Sequence, residues 1–330
     1  MNRNIFLGLI IVILGCSNDD GPVETQLYAA YDKTTLNIPN GSELNLAIWY
    51  PTFEEERPYD YNTAASQLVV SGSVAENAEA ADGEWPLIVF SHGFSGGGIG
   101  SVEICESLAR AGYVVVAPDH SDAVISVRIE GRATGTLADA LIYLEDNPFG
   151  NGADYLYRLS ELQEIIAHFT SQPAYNLNPD HLVLGGHSMG GWTIMKAIES
   201  GSRPSAAFLL SMGELNWLLA GQRYFESDFF QSLDFPSVYF YGEEEYAQAV
   251  NNGRDNVYAA FCYTYSPSPS YGLFVEDGNH FTYNSEAVAP LSYGNASQIE
   301  SITSRLIGFL DRHIQGADVS VVEHPLDVSK

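Results

Sequence analysis

The chain has 330 residues, of which 45% are hydrophobic and 17% charged, so it can bury the core of one large α/β domain or of two small ones. Its 42 acidic residues outnumber its 14 basic residues and give a formal net charge of -28. No basic cluster is present to neutralise phosphates, which argues against nucleic acid as a partner.

Residues 1–16 resemble a bacterial lipoprotein signal peptide. Residues 5–14 are apolar but too few for a stable transmembrane anchor, and Ile13-Leu-Gly-Cys16 resembles a lipobox. By this resemblance a diacylglyceryl group is attached to the thiol of Cys16, which is then the expected membrane contact. The acidic segment Ser17-Asn-Asp-Asp20 is similar to the signals of surface-exposed lipoproteins. We therefore expect a lipid-anchored envelope protein at the outer membrane, exposed at the cell surface; a plain secretory peptide is the alternative.

A β-hairpin is predicted at the start of the fold. Residues 34–38 and 44–50 read as its strands, joined by the turn Pro39-Asn-Gly41. Residues 17–33 are interpreted as a polar tether. A single domain is expected over 34–315, followed by a C-terminal tail at 316–330.

Beyond the hairpin, apolar strands alternate with helices. Residues 52–84 are interpreted as a surface excursion. Strands are predicted at 85–90, 113–117, 206–211, 237–241 and 272–275, with a further strand from Leu182, and helices at 102–111, 156–169, 191–198 and 296–314. Continuous apolar strands of this kind are typical of a mainly parallel sheet with helices on both faces. Cys105, in a helical pattern, and Cys262, in a strand-like aromatic run, are expected to be buried small hydrophobes.

Ser188 is the candidate nucleophile. It is the centre of Gly186-His-Ser-Met-Gly190, which lies between an apolar strand and a helix-compatible stretch. A sharp strand-to-helix turn holds a serine exposed, and glycines two before and two after it avoid a Cβ clash. The pattern predicts nucleophilic attack on an acyl carbon.

The general base is expected on a loop after a later strand. His280, His313 and His324 follow Ser188, but only His280 lies on a loop directly after a predicted strand; His313 falls in the closing helix and His324 in the tail. His280 is therefore the candidate base.

The acid that orients the base is expected after the preceding strand. Glu245 is the candidate, three residues after Gly242. Four rival carboxylates stay open, namely Glu243, Glu244, Asp255 and Asp277. The oxyanion hole is expected to use the backbone amides of Met189 and of Phe94, in the turn His92-Gly-Phe94. His92 itself is expected to stabilise that turn.

The motifs resemble a known family in type and order. Phe90-Ser-His-Gly93, Gly112-Tyr-Val-Val-Val-Ala-Pro-Asp119 and Gly186-His-Ser-Met-Gly-Gly191 are similar to the cutinase-like or polyester-hydrolase-like bacterial α/β-hydrolases, near the platelet-activating-factor acetylhydrolase and dienelactone hydrolase branches. The resemblance spans residues 35–315. It implies an α/β-hydrolase fold and a carboxylic ester hydrolase that needs no cofactor or metal. The family usually carries an aspartate where this chain has Glu243-Glu-Glu245, and residues 120–155 are long enough to form a lid or cleft wall.

The sequence thus predicts a serine esterase that acts through an acyl-enzyme on a small-molecule or polymeric extracellular ester. Two alternatives stay open. The same residues suit an acetylhydrolase or amidase, and an inherited hydrolase fold suits a non-catalytic surface lipoprotein that binds a glycan or partner.

Overall fold

The computed structural model describes residues 26–39, 43–61, 70–123, 128–129, 155–172, 174–212, 225–251, 258–285 and 294–330. The strands are β1 (Tyr28–Asn37), β2 (Glu43–Thr52), β3 (Arg57–Asp60), β4 (Ser71–Glu76), β5 (Trp85–Ser91), β6 (Val114–Pro118), β7 (Leu177–His187), β8 (Ala206–Leu210), β9 (Ser237–Gly242), β10 (Ser270–Val275) and β11 (Val328–Ser329). The helices are α1 (Val102–Arg110), α2 (Leu156–Ser171), α3 (Met189–Glu199), α4 (Ser227–Gln231), α5 (Glu243–Asn251), α6 (Tyr258–Tyr265) and α7 (Ala296–Leu310), which a π-helical turn (Asp311–Gln315) continues.

The described strands form one sheet, in the order β11-β10-β9-β8-β7-β5-β6-β2-β1-β4-β3. Six neighbouring strands, β10 to β6 in this order, are parallel, and the hairpin β1–β2 joins them antiparallel to β6. The carboxyl ends of parallel strands meet at one edge of a sheet, which is where α/β proteins place their sites. The predicted hairpin and the mainly parallel sheet are both confirmed.

The apolar strands are buried because each face of the sheet packs against its own hydrophobic core. Side chains alternate along a strand, so Leu87 and Val89 of β5 face one core and Ile88 and Phe90 face the other. Helices α2 and α3 cover the first core, and helices α1 and α7 cover the second. This is the α/β-hydrolase architecture that the sequence predicted.

The start of the domain lies earlier than predicted. Strand β1 begins at Tyr28, and Ala29, Ala30 and Tyr31 are buried, so residues 28–33 belong to the sheet rather than to a tether. The ten-residue register between β1 and β2 explains the difference, since it pairs Tyr28 with Thr52. Residues 52–84 also contain β3 and β4, which extend the sheet beyond β1.

The predicted C-terminal tail is packed on the domain. Val321 is buried, β11 pairs with β10, and the carboxylate of Asp327 accepts a hydrogen bond from Arg305 at 3.0 Å. The prediction for Cys262 was half right: it is free and buried, like Cys105, but it lies in helix α6 rather than in a strand. A short aromatic run of this kind has no clear period, so its sequence does not distinguish a helix from a strand.

Several expectations fall outside the described residues. Cys16, the signal peptide and most of the predicted lid at 120–155 are among them. Within the described part of the chain, no helix has the length and apolar character needed to cross a membrane.

Candidate active site

Ser188 occupies a strained turn between β7 and α3. Its backbone has φ 54° and ψ -120°, a region that residues with a side chain rarely adopt. Its amide donates to the Leu210 carbonyl at the end of β8, at 2.9 Å, which ties the turn to the edge of the sheet. The side chain is only 2% exposed, less than predicted, because the turn at Gly93 packs beside it: a Cβ on Gly93 would lie 3.4 Å from that of Ser188.

The glycines around Ser188 are needed for space, as predicted. A Cβ on Gly186 would lie 2.4 Å from the carbonyl carbon of Gly190, and a Cβ on Gly190 would lie 1.8 Å from the carbonyl oxygen of Ser91. Both neighbours are backbone atoms, which cannot rotate away. Helix α3 therefore starts in direct contact with β5.

Gly190→Ala is expected to destabilise the fold by about 3 kcal/mol and to abolish activity, since the added methyl group must push α3 away from β5. Urea unfolding would measure the loss. Gly308→Ala in α7 is the matched control, because there the nearest atom outside the helix to an added Cβ is the Ser320 carbonyl oxygen at 3.3 Å, a contact that a shift of a few tenths of an ångström relieves, and alanine favours a helix. Equal stability of the two variants would contradict this account of the turn.

His280 lies between Ser188 and Glu245. Its Nε2 is 2.9 Å from the Oγ of Ser188, and its Nδ1 is 2.9 Å from Oε1 of Glu245. A carboxylate only accepts, so Nδ1 carries the proton and Nε2 is left to accept from the serine hydroxyl. The predicted nucleophile, base and acid therefore form one continuous chain of hydrogen bonds.

Glu245 is a buried carboxylate, 5% exposed, in the first turn of α5. Its Oε2 accepts from the Ser211 hydroxyl and from the Gly242 amide. Burial alone would raise the pKa of Glu245, but His280 and these two donors outweigh burial and hold the pKa below its usual value. The carboxylate stays charged and faces the imidazole.

The rival carboxylates lie elsewhere. Glu243 and Glu244 are exposed, and Oε2 of Glu243 accepts from the backbone amide of Asp277, which is also exposed. Asp255 lies outside the described residues. Among the described candidates, only Glu245 contacts His280.

The other two histidines also lie where the sequence placed them. His313 falls in the π-helical turn after α7, 3.0 Å from the Tyr271 hydroxyl, and His324 lies in the C-terminal segment against the Phe274 ring.

His187, next to the nucleophile, supports the loop that carries the base. Its Nε2 donates to the carbonyl of His280 at 2.8 Å, and its ring packs beside those of His280 and Tyr283. Burial, and then the neighbouring His280, lower the pKa of His187 to about 3, so this ring is neutral. The residue therefore acts as a fixed hydrogen-bond donor beneath the loop.

The two residues whose amides are predicted for the oxyanion hole lie close to Ser188, one in the chain and one in space. Met189 is the first residue of α3, and the first amides of a helix have no intrahelical acceptor, so they attract negative charge. Phe94 follows Gly93, where an added Cβ would lie 3.4 Å from the Cβ of Ser188. As expected of a turn-stabilising residue, His92 is buried: its Nδ1 donates to the Gly93 carbonyl at 2.6 Å.

Sequence reasoning missed three residues of this region. Ser211 directly follows β8, so the strand prediction could have placed it at the edge of the sheet. Arg158 and Asp122 form a fully buried ion pair at 2.7 Å near the turn of Phe94. They come from α2 and from the loop after β6, and no spacing in the sequence brings them together.

Residues 60–145 match the family model of platelet-activating factor acetylhydrolase, isoform II. A ferulic acid esterase from Streptomyces cinnamoneus has a similar solved structure, with a TM-score of 0.65 and 18% identity over 93% of this chain and 95% of that chain. A comparison with curated proteins finds no match. The chain is therefore an α/β-hydrolase by fold, and over residues 60–145 it is similar to the platelet-activating factor acetylhydrolases.

Proposed function

We propose that the chain is a serine-dependent carboxylic ester hydrolase that works through an acyl-enzyme. The observation that carries the proposal is the chain of hydrogen bonds from Glu245 through His280 to Ser188, with both His280 contacts at 2.9 Å. The two proteins that this chain resembles are named for ester cleavage, which supports the same reaction class.

Each group has one task in the proposed reaction. His280 removes the proton of Ser188 as its Oγ attacks the ester carbonyl, and Glu245 stabilises the imidazolium that forms. The amides of Phe94 and Met189 bind the oxyanion. His280 then protonates the leaving alcohol, and a water activated by the same imidazole releases the acid from Ser188.

The two resemblances suggest different acyl groups. The family match favours a small acyl group such as acetate, whereas the structural neighbour is named for ferulic acid, an aromatic acid. Comparing kcat/KM for p-nitrophenyl acetate with that for methyl ferulate would choose between the two classes. Parallel assays on the corresponding acetamides would test the amidase alternative.

A fluorophosphonate probe tests the proposal as a whole, because it reacts only with an activated serine. We expect stoichiometric labelling of Ser188 in the wild-type protein. Labelling should disappear in His280→Ala, which lacks the base but keeps the nucleophile. A wild-type protein that takes up no label and cleaves no ester would instead support the non-catalytic surface lipoprotein.

We also propose that lipidated Cys16 anchors this hydrolase in the bacterial cell envelope, at the outer membrane and exposed at its surface. The lipobox-like Ile13-Leu-Gly-Cys16 and the acidic segment after it support this location. The hydrolase would then act on esters outside the cytoplasm.

Cys16→Ser is expected to abolish acylation, because the diacylglyceryl group is attached to the thiol that this change removes. Metabolic labelling with a radioactive fatty acid, compared between the two proteins, measures this. The fraction of esterase activity released from membranes gives a second readout. Label that persists in Cys16→Ser would show that the lipobox interpretation is wrong.

A further inference from the structure

One buried arginine, Arg158, holds the turn that carries Phe94 in place through hydrogen bonds. Arg158 of α2 is fully buried, and two of its nitrogens donate to backbone carbonyls of this turn: Nη1 to His92 at 2.8 Å and Nη2 to Gly93 at 3.1 Å. The same guanidinium binds both carboxylate oxygens of Asp122, at 2.8 and 2.7 Å, which neutralises its charge. Such a forked arrangement suits arginine and not lysine.

The turn that Arg158 holds is itself strained. The Gly93 carbonyl accepts from the Gly96 amide at 3.2 Å, which closes a turn with Phe94 and Ser95 at its centre. Ser95 has φ 54°, a conformation that usually requires glycine. Its amide donates to Oδ2 of Asp122 at 3.1 Å, so the ion pair holds the strained residue as well. Strain of this kind persists only where the surroundings enforce it.

The hydrogen bonds from Arg158 determine the direction in which the Phe94 amide points. The Gly93–Phe94 peptide bond is trans, so its N–H points opposite to its C=O. Because the Gly93 carbonyl points toward Arg158 and His92, the Phe94 N–H points in the opposite direction within the peptide plane, away from these two side chains. A Cβ added to Gly93 would lie 3.4 Å from that of Ser188, so this peptide lies near the nucleophile.

We infer that Arg158 is a positioning residue for the reaction: its guanidinium aims the Phe94 amide at the oxyanion, with Asp122 as its counterion. The inference rests on the proposed function. Arg158 touches neither substrate nor reacting atoms, so its loss weakens stabilisation of the transition state and leaves ground-state binding of the ester nearly unchanged.

Arg158→Lys tests the inference with a matched pair of substrates, an ester and its thionoester with the same acyl and alcohol groups. Sulfur is a weaker acceptor than oxygen, so the thionoester gains less from an oriented amide. We expect kcat/KM for the oxygen ester to fall by about 10- to 100-fold with little change in KM, less than or close to the loss of a whole oxyanion donor. The oxygen-to-sulfur ratio of kcat/KM should fall by about tenfold, whereas a merely structural defect lowers both rates alike.

Arg305→Lys is the matched control. Arg305 is also buried and binds a carboxylate, that of Asp327, and a backbone carbonyl, that of Phe274. Its replacement should lower stability without changing the oxygen-to-sulfur ratio. If Arg158→Lys does not fold, Asp122→Asn carries the test, because asparagine keeps the size and one acceptor oxygen but loses the charge that holds Arg158.

A rescue variant sharpens the result. Glycine adopts the conformation of Ser95 without strain, so adding Ser95→Gly to Arg158→Lys should restore part of the ratio. An unchanged ratio in every Arg158 and Asp122 variant that folds, with an active wild-type protein, overturns the inference and leaves the proposed function standing. A wild-type protein that takes up no fluorophosphonate label and cleaves no ester overturns the proposed function itself.

Discussion

Replacing Ser188 with alanine is expected to lower kcat for p-nitrophenyl acetate by about 10⁴- to 10⁶-fold without unfolding the protein. Alanine removes the attacking oxygen but keeps the Cβ that packs beside Gly93. The loss is large because His280 then has no hydroxyl to deprotonate, and only the oxyanion donors and substrate binding remain. Steady-state kinetics, with circular dichroism to check the fold, would measure it.

Ser266→Ala is a matched control for that result. Ser266 is a buried serine, 2.7 Å from the Tyr239 hydroxyl, so its loss costs about 1 kcal/mol of stability but should leave kcat unchanged. Ser188→Gly should be as inactive as Ser188→Ala yet more stable by about 1 kcal/mol, because glycine tolerates φ 54°. A Ser188→Ala protein that keeps more than about a tenth of the activity would show that another residue is the nucleophile.

The sequence predicted the centre of the fold better than its margins. Strands β5, β6 and β8 are short apolar runs with all or nearly all residues buried, and this composition alone marks buried parallel strands. The margins depend on pairing instead. Tyr28 joins the sheet because β2 extends to Thr52, and Val328 joins it because Arg305 holds Asp327 near β10. Such long-range contacts cannot be predicted from the local composition.

The candidate active site shows the same contrast between residues that local sequence predicts and residues that depend on distant contacts. Ser188 directly follows β7 and His280 lies on the loop after β10, so the order of elements along the chain was enough to select them. The role of Arg158 could not be predicted from the sequence, because Arg158 lies within a helix and acts on Asp122 and on carbonyls from another loop. Residues that hold a backbone turn in place have no motif of their own.

Glu245→Gln is expected to reduce kcat by about 10³- to 10⁴-fold, the effect of replacing a triad carboxylate by its amide. Ionised Glu245 accepts the Nδ1 proton of His280, which leaves Nε2 free to accept from Ser188. The glutamine amide is also a donor, and when it donates to Nδ1 the ring proton moves to Nε2, where the ring cannot take the serine proton. Rates at saturating p-nitrophenyl acetate would measure the loss.

Glu244→Gln removes the same charge one residue away and separates orientation from simple electrostatics. Glu244 is exposed, so screening should keep its effect on kcat within about threefold. Ser211→Ala removes a donor to Glu245 without removing the carboxylate, and should fall between the two. That order would follow from contact with the imidazole. If Glu245→Gln and Glu244→Gln instead lost activity equally and slightly, the acid would have to be another carboxylate, and the hydrogen bond between Glu245 and His280 would serve only to hold the loop.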